Sequence, residues 1–78
     1  MEQTIIEIVK NILPDKSKAV LPTSDLVESL GFDSVNILEL ITALEEKFDI
    51  LFEDEDLDLA NFGTINAIQV ILGKYGKS

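Results

Sequence analysis

Residues 31–35 read Gly31-Phe32-Asp33-Ser34-Val35, so an acidic residue and a serine follow shortly after a glycine. The apolar residues that come next recur with the helical period and converge on one face. They are Ile37, Leu40, Ile41, Leu44 and Phe48. The stretch therefore predicts an amphipathic helix that begins at Ser34 and ends near Phe48 or Asp49, with Asp33 placed to cap it.

Ser34 is the candidate functional residue of this stretch. Most serines at a helix start serve only as caps, because their hydroxyl accepts a hydrogen bond from the backbone. Here Asp33 offers a capping carboxylate, which leaves the Ser34 hydroxyl free. The sequence contains no histidine to activate that hydroxyl. Ser34 is therefore either an ordinary first-turn serine or, if it is functional, a covalent attachment point that another enzyme must activate, and not a catalytic nucleophile.

Three further helices are expected around this segment. The first runs roughly over residues 2–13 and stops at Pro14. A short third helix is predicted within residues 55–61, and a fourth begins after Thr64 and stops at Gly76. The apolar stripes are Ile5, Ile8, Val9, Ile12 and Leu13 in the first helix, and Ile65, Ile68, Leu72 and Tyr75 in the fourth.

A long connection from Asp15 to Phe32 separates the first two helices. Its apolar residues are expected to fold back onto the core. They are Val20, Leu21, Leu26, Val27 and Leu30. No window alternates with period two, so the predicted fold class is all-α: a small four-helix bundle with a long first loop and a short third helix, in one domain spanning residues 1–78.

Charge and composition exclude several function classes. The chain has 78 residues and a net charge of −9, which disfavours binding to nucleic acid or anionic membrane and favours partners with basic patches. It has no cysteine, histidine or arginine, so thiolate metal sites, imidazole bases and guanidinium clamps are absent. No apolar run is long enough to span a bilayer, and the N-terminus lacks the order of a secretory signal, so a cytoplasmic location is expected.

Two groups of carboxylates have ordinary explanations. The acidic run 53–58 fails as an EF-hand loop, because counting from Asp54 places Leu59 and Ile65 at positions that require glycine and glutamate. It is interpreted as the solvated start of a helix, where carboxylates complement the helix dipole. The acidic residues of the second helix are best explained as a solvated face, so no catalytic residue and no metal site are expected. Val35 and Leu38 lie on that same face, which makes it a candidate docking surface.

A leucine-glycine pair, an aspartate-serine and an acidic helix follow one another in this chain. They stand as Leu30-Gly31-Phe32-Asp33-Ser34-Val35, Glu39-Leu40 and Ala43-Leu44-Glu45-Glu46-Lys47-Phe48-Asp49-Ile50. In these motifs the sequence resembles the acyl carrier proteins, and the resemblance covers almost its whole length. Leu26-Val27-Glu28 matches the family's lead-in. Residues 55–57, 61–62 and 64–65 look like its third helix and the start of its fourth.

This resemblance implies a carrier that performs no catalysis. Ser34 would bear 4′-phosphopantetheine, installed from coenzyme A by a phosphopantetheinyl transferase, and the thiol of the arm would hold acyl groups as thioesters. Acyl-loading and acyl-processing enzymes would dock their basic patches on the second helix, and the protein would be a monomer. The docking residues implied, beside the motif neighbour Asp33, are Val35, Leu38, Glu39, Thr42, Glu45 and Glu46.

Some residues depart from the housekeeping pattern of fatty-acid synthesis. They are Phe32, Val35, Asn36 and Thr42, and the segment from Phe48 to Ile65 is longer than usual. These departures resemble carriers of polyketide or other specialised pathways. Two alternatives stay open: a carrier of aminoacyl or peptidyl groups loaded by an adenylating ligase, and an acidic helical interaction module that is never modified.

Overall fold

The structure is a computed structural model that describes residues 2–77, and it contains three α-helices within that range. These are α1 (Glu2–Ile12), α2 (Ser34–Phe48) and α3 (Ile65–Lys74). Two 3-10 helices, Asp54–Asp56 and Leu59–Asn61, lie between α2 and α3, and the described part of the chain has no strand. The all-α class is confirmed, whereas the count of four helices is not.

The predicted third helix over residues 55–61 is instead a pair of separate 3-10 turns. Leu57 breaks the run with φ −81° and ψ 64°. The Asp58 side chain then accepts a hydrogen bond from the Ala60 N–H at 2.9 Å and starts the second turn. Asp56 is held inward by hydrogen bonds from Lys74 and Tyr75 at the end of α3, so the segment follows tertiary contacts and not a helical period.

Helix α2 matches its prediction at both ends. Its buried residues are Ile37, Leu40 and Leu44, while Ile41 and Phe48 pack partly buried against the core. At the C-terminal end, Asp49 adopts the left-handed conformation with φ 54° and ψ 53°, and its N–H donates to the Glu45 carbonyl. This turn reverses the chain and returns Phe52 to the core.

The long first loop is anchored in its middle and at its C-terminal end. Leu26, Leu30 and Phe32 are buried, and the Leu26 N–H donates to the Gly63 carbonyl at 2.8 Å. The Asn66 N–H donates to the Pro22 carbonyl at 3.1 Å, which ties the loop to the first turn of α3. Two predicted anchors are wrong, because Leu21 and Val27 are exposed; Val27 instead borders the groove described below.

The core joins all three helices and both loops. It consists of Ile5, Ile6, Val9, Leu13, Val20, Leu26, Leu30, Phe32, Ile37, Leu40, Leu44, Phe52, Phe62, Ile65, Ile68, Ile71 and Leu72. Ile6 and Ile71 were absent from the predicted stripes, so the apolar faces of α1 and α3 are wider than those stripes. None of the helices within residues 2–77 combines the length and apolar character needed to cross a membrane.

The predicted ends of α3 are confirmed. The Thr64 side chain accepts a hydrogen bond from the Ala67 N–H at 3.0 Å. At the other end, Gly76 has φ +77°, and the N–H groups of Gly76 and Lys77 donate to the carbonyls of Gly73 and Leu72. This pair of bonds is a Schellman motif. Glycine is favoured at the position of Gly76 because the left-handed conformation strains other residues.

Candidate functional site

The start of α2 is held by a reciprocal pair of hydrogen bonds. The Asp33 carboxylate accepts from the Asn36 N–H at 2.9 Å, and the Asn36 side chain accepts from the Asp33 N–H at 3.1 Å. The Asn36 amide also donates to Glu39 at 3.3 Å. Sequence reasoning missed the role of Asn36, because the usual partner in a capping box is glutamate or glutamine.

The residues before the cap fix its position. Gly31 has φ +75°, a conformation that glycine adopts without strain. The next residue, Phe32, is buried, and its N–H donates to the Leu26 carbonyl at 2.9 Å. The start of α2 is therefore attached to the core directly before Asp33 and Ser34.

Ser34 is exposed as the first residue of α2. Its hydroxyl has no hydrogen-bond partner among residues 2–77, since Asp33 supplies the cap. A groove of about 260 Å³ opens beside it, with an almost wholly apolar surface. Its lining residues are Val27, Phe32, Asp33, Ser34, Ile37 and Leu59.

This geometry suits a phosphate ester more than catalysis by the chain itself. The N-terminal end of a helix carries partial positive charge and favours a nearby anion. The only carboxylate beside Ser34 in the groove is that of Asp33, and it is engaged in the cap. Ser34 therefore has an exposed hydroxyl to which no side chain among residues 2–77 is hydrogen-bonded as a base, and the sequence has no histidine to serve as one.

The outer side of α2 brings together most of the predicted docking residues. Val35 and Leu38 are each 63% exposed, and Glu39, Thr42 and Glu46 are exposed beside them. All five line one depression of about 470 Å³, together with Ile12 of α1 and Ala43. Acidic and apolar side chains thus lie together on a single surface.

Glu45 is the predicted docking residue that the structure sets apart. It is half-buried, and its carboxylate accepts a hydrogen bond from the Phe52 N–H at 2.9 Å. It lines a second depression beyond Thr42 and Glu46, on the side of Ile50 and Leu51. Glu45 thereby fixes the turn after α2 and has one carboxylate oxygen occupied.

A polar cluster that the sequence did not predict joins the first 3-10 helix to the end of α3. Asp56 is 6% exposed, accepts from Lys74 Nζ at 2.8 Å and accepts from the Tyr75 hydroxyl at 2.6 Å. The Glu53 N–H donates to the same Tyr75 oxygen at 2.8 Å. The rings of Phe52 and Tyr75 meet edge to face at 5.3 Å. We call Asp56, Lys74 and Tyr75 the clasp.

The clasp shifts the protonation equilibria of all three residues. Hydrogen bonds from Lys74 and then Tyr75 hold the pKa of Asp56 below its ordinary value. The bond to Asp56 raises the pKa of Lys74. Burial, and next the bond to Asp56, raise the pKa of Tyr75. The acidic run was interpreted as a solvated helix start, and that interpretation is wrong for Asp56.

Comparison with known proteins identifies relatives that match most of the chain. A family model described as phosphopantetheine attachment site matches residues 3–68. An acyl carrier protein of Syntrophobacter fumaroxidans is 38% identical over 58 residues, which are 74% of this chain and 72% of that protein. An acyl carrier protein of Buchnera aphidicola is 39% identical over 61 residues, which are 78% and 77% of the two chains.

Solved structures agree with these sequence matches. A Mycobacterium tuberculosis protein assigned as an acyl carrier protein superposes with a TM-score of 0.78 at 30% identity, over 95% of this chain and 96% of that one. A chain from the Bradyrhizobium japonicum complex of glycine:carrier protein ligase with glycylated carrier protein gives a TM-score of 0.74 at 25% identity, over 90% and 96%.

Proposed function

Because the chain belongs to the acyl carrier proteins, a family with a phosphopantetheine attachment site, we propose that Ser34 bears the 4′-phosphopantetheine arm. The protein is a carrier and not a catalyst, and the arm is its covalent cofactor. The observation that supports Ser34 is its exposed hydroxyl, free of hydrogen bonds within residues 2–77, at a capped helix start inside the matched segment.

The surroundings of Ser34 fit such an arm. A phosphodiester on Ser34 Oγ would lie at the positive end of α2, where an anion is stabilised. The apolar groove formed by Val27, Ile37 and Leu59 borders the same oxygen and offers a surface for the hydrocarbon parts of the arm. When bound, the arm supplies the thiol that the chain lacks, and that thiol holds an acyl group as a thioester.

The transfer of the arm needs a partner enzyme. Ser34 has no base of its own, so a phosphopantetheinyl transferase must take the hydroxyl proton. The serine oxygen then bonds to the pantetheine-bearing phosphorus of coenzyme A, the pyrophosphate P–O bond breaks, and adenosine 3′,5′-bisphosphate leaves. The docking surface for the transferase, and for acyl-loading and acyl-processing enzymes, is proposed to be the outer side of α2. It comprises Val35, Leu38, Glu39, Thr42 and Glu46, with Glu45 at its border.

Intact-mass spectrometry tests the attachment site. The protein is incubated with coenzyme A and a broad-specificity phosphopantetheinyl transferase, and Ser34→Ala is run beside Ser29→Ala, an exposed serine outside the groove. Wild type and Ser29→Ala are expected to gain one phosphopantetheine, and Ser34→Ala none. No gain in folded wild type, with a control carrier modified in the same tube, would favour the unmodified acidic interaction module.

A second candidate function is a carrier of aminoacyl or peptidyl groups. The favouring observation is the likeness to the chain from the glycylated carrier complex with its ligase. Holo-protein isolated from its native cells distinguishes the two, because the thioester cargo can be released and identified by mass. An amino acid would support the second candidate, and a fatty or polyketide acyl group would support the first.

Pathway, location and assembly complete the proposal. We place the protein in fatty-acid, polyketide or related biosynthesis, in the cytoplasm, as a monomeric single domain. The high negative charge supports the monomer, because like-charged copies repel each other. Sedimentation analysis tests this, and a stable dimer at micromolar concentration would contradict it.

A further inference from the structure

The acidic face of α2 does not end with the helix. A second depression, of about 550 Å³, lies beyond its C-terminal half and is lined by Thr42, Glu45, Glu46, Asp49, Ile50 and Leu51. Thr42 and Glu46 also line the depression next to Val35 and Leu38. These two residues, one helical turn apart, therefore form a ridge between two depressions.

Leu51 is the most exposed large apolar side chain among residues 2–77, at 80%. It lies on a backbone that is fixed on both sides. The Ile50 N–H donates to the Glu45 carbonyl at 3.1 Å, and the Phe52 N–H donates to the Glu45 carboxylate at 2.9 Å. Phe52 is buried in the core. Leu51 is thus held out toward solvent by an ordered turn, which lowers the entropic cost of burying it against a partner.

The charges around Leu51 specify the kind of partner. Glu46 and Asp49 are exposed at the same depression, and no lysine lines it. The complementary surface is an apolar side chain flanked by lysine or arginine. A second copy of this chain is disfavoured as the occupant, because its own net charge is −9.

We propose that Leu51 is a docking anchor for the phosphopantetheinyl transferase, which places one apolar side chain in each depression and a basic side chain against Glu46 on the ridge. This inference rests on the proposed function and extends its surface beyond α2. Leu51 acts in docking alone, so its loss raises the KM for the carrier and leaves kcat unchanged.

Steady-state kinetics of the transferase test the anchor with matched variants. Leu51→Ser is compared with Val70→Ser, since Val70 is 76% exposed on α3 and lines neither depression. Truncation of an interface anchor lowers kcat/KM by about fivefold or more. We expect that fall for Leu51→Ser through KM, near-wild-type kinetics for Val70→Ser, and recovery in Leu51→Met. Circular dichroism confirms that each variant is folded.

Each outcome decides the proposal. Equal kinetics for Leu51→Ser and Val70→Ser, with wild type modified normally, would overturn the anchor and leave the proposed function intact. Failure of wild type to be modified would overturn both. A dimer that dissociates on Leu51→Ser in sedimentation analysis would assign the patch to a second copy of the chain and would also overturn the anchor.

Discussion

Asp33 and Ser34 are neighbours with separate tasks, because the carboxylate of one caps α2 and the hydroxyl of the other stays free. Loss of a capping carboxylate costs about 1 kcal/mol in the free energy of unfolding. We expect that loss for Asp33→Ala, and a change within about 0.5 kcal/mol for Ser34→Ala. Urea unfolding measures both variants, and equal losses would show that Ser34 shares in the cap.

Asp49 is the one residue other than glycine with positive φ within residues 2–77. Its left-handed backbone is unfavourable for a residue with a Cβ, and its carboxylate lies at the negative end of α2. Asp49→Gly removes both penalties, although glycine loses more chain entropy on folding. We expect the variant to be more stable by about 0.5–1 kcal/mol in urea unfolding, because the left-handed strain of about 1–2 kcal/mol exceeds the entropy cost of glycine, about 0.5–1 kcal/mol.

Asp49→Asn separates the two contributions at this position. It removes the charge and keeps the Cβ, so its gain is expected to be smaller than that of Asp49→Gly. A glycine variant less stable than the asparagine variant would mean that the backbone strain at Asp49 is smaller than the chain entropy that glycine loses on folding.

At the scale of elements, the clasp connects the segment between α2 and α3 to the last turn of α3. Tyr75→Phe keeps the ring against Phe52 but removes the bonds to Asp56 and Glu53. Leaving a buried carboxylate with one partner fewer destabilises the fold. We expect Tm to fall by several degrees. Relative to wild type, amide hydrogen exchange should accelerate more at residues 53–61 than in α1. Uniformly faster exchange across the chain would contradict a local clasp.

The clasp also predicts a dependence on pH. Lys74 and Tyr75 hold the pKa of Asp56 below its ordinary value of 3.8. A carboxyl whose pKa is lowered on folding stabilises the fold above its unfolded pKa, and this contribution is lost as pH falls through the folded value. Wild type should therefore exceed Asp56→Asn in stability at neutral pH, and the difference should shrink as pH falls below 3.8.

Urea unfolding at several pH values measures this difference. Asp54→Asn is the control, because Asp54 is an exposed neighbour in the same 3-10 helix. A stability difference between wild type and Asp56→Asn that stays constant down to acid pH would contradict the role given to the carboxylate.

At alkaline pH the clasp is expected to weaken as well. The pKa values of Lys74 and Tyr75 are raised on folding, so the stability that these two groups contribute is lost as pH rises through the raised values.

Elements whose signals are local could be predicted from the sequence, and those set by distant contacts could not. Helix α2 has its cap and its apolar period in one continuous segment, so both ends were predicted. Asp56 instead accepts hydrogen bonds from Lys74 and Tyr75, which lie 18 and 19 residues later in the sequence. The predicted third helix is not formed around this contact. The groove beside Ser34 likewise needs Leu59, which only the fold brings there.

At the scale of the whole molecule, negative charge is the dominant unbalanced feature. The chain has 15 acidic against 6 basic residues, and residues 2–77 contain one ion pair, between Lys74 and Asp56. The molecule extends over 32 × 22 × 19 Å. The Debye length is about 30 Å at 0.01 M salt and about 8 Å at 0.15 M. Low salt therefore lets carboxylates repel each other across the fold, while moderate salt confines repulsion to neighbours.

This repulsion predicts that salt stabilises the protein. We expect Tm to rise between about 0.01 M and 0.15 M sodium chloride, and to rise also with millimolar divalent cation, since both reduce the self-repulsion of the folded state. Differential scanning calorimetry measures the midpoint. The double variant Glu7→Gln, Glu28→Gln removes two exposed charges and should respond less to salt. A midpoint that does not move with salt would mean that the fold tolerates its charge of −9 without cost.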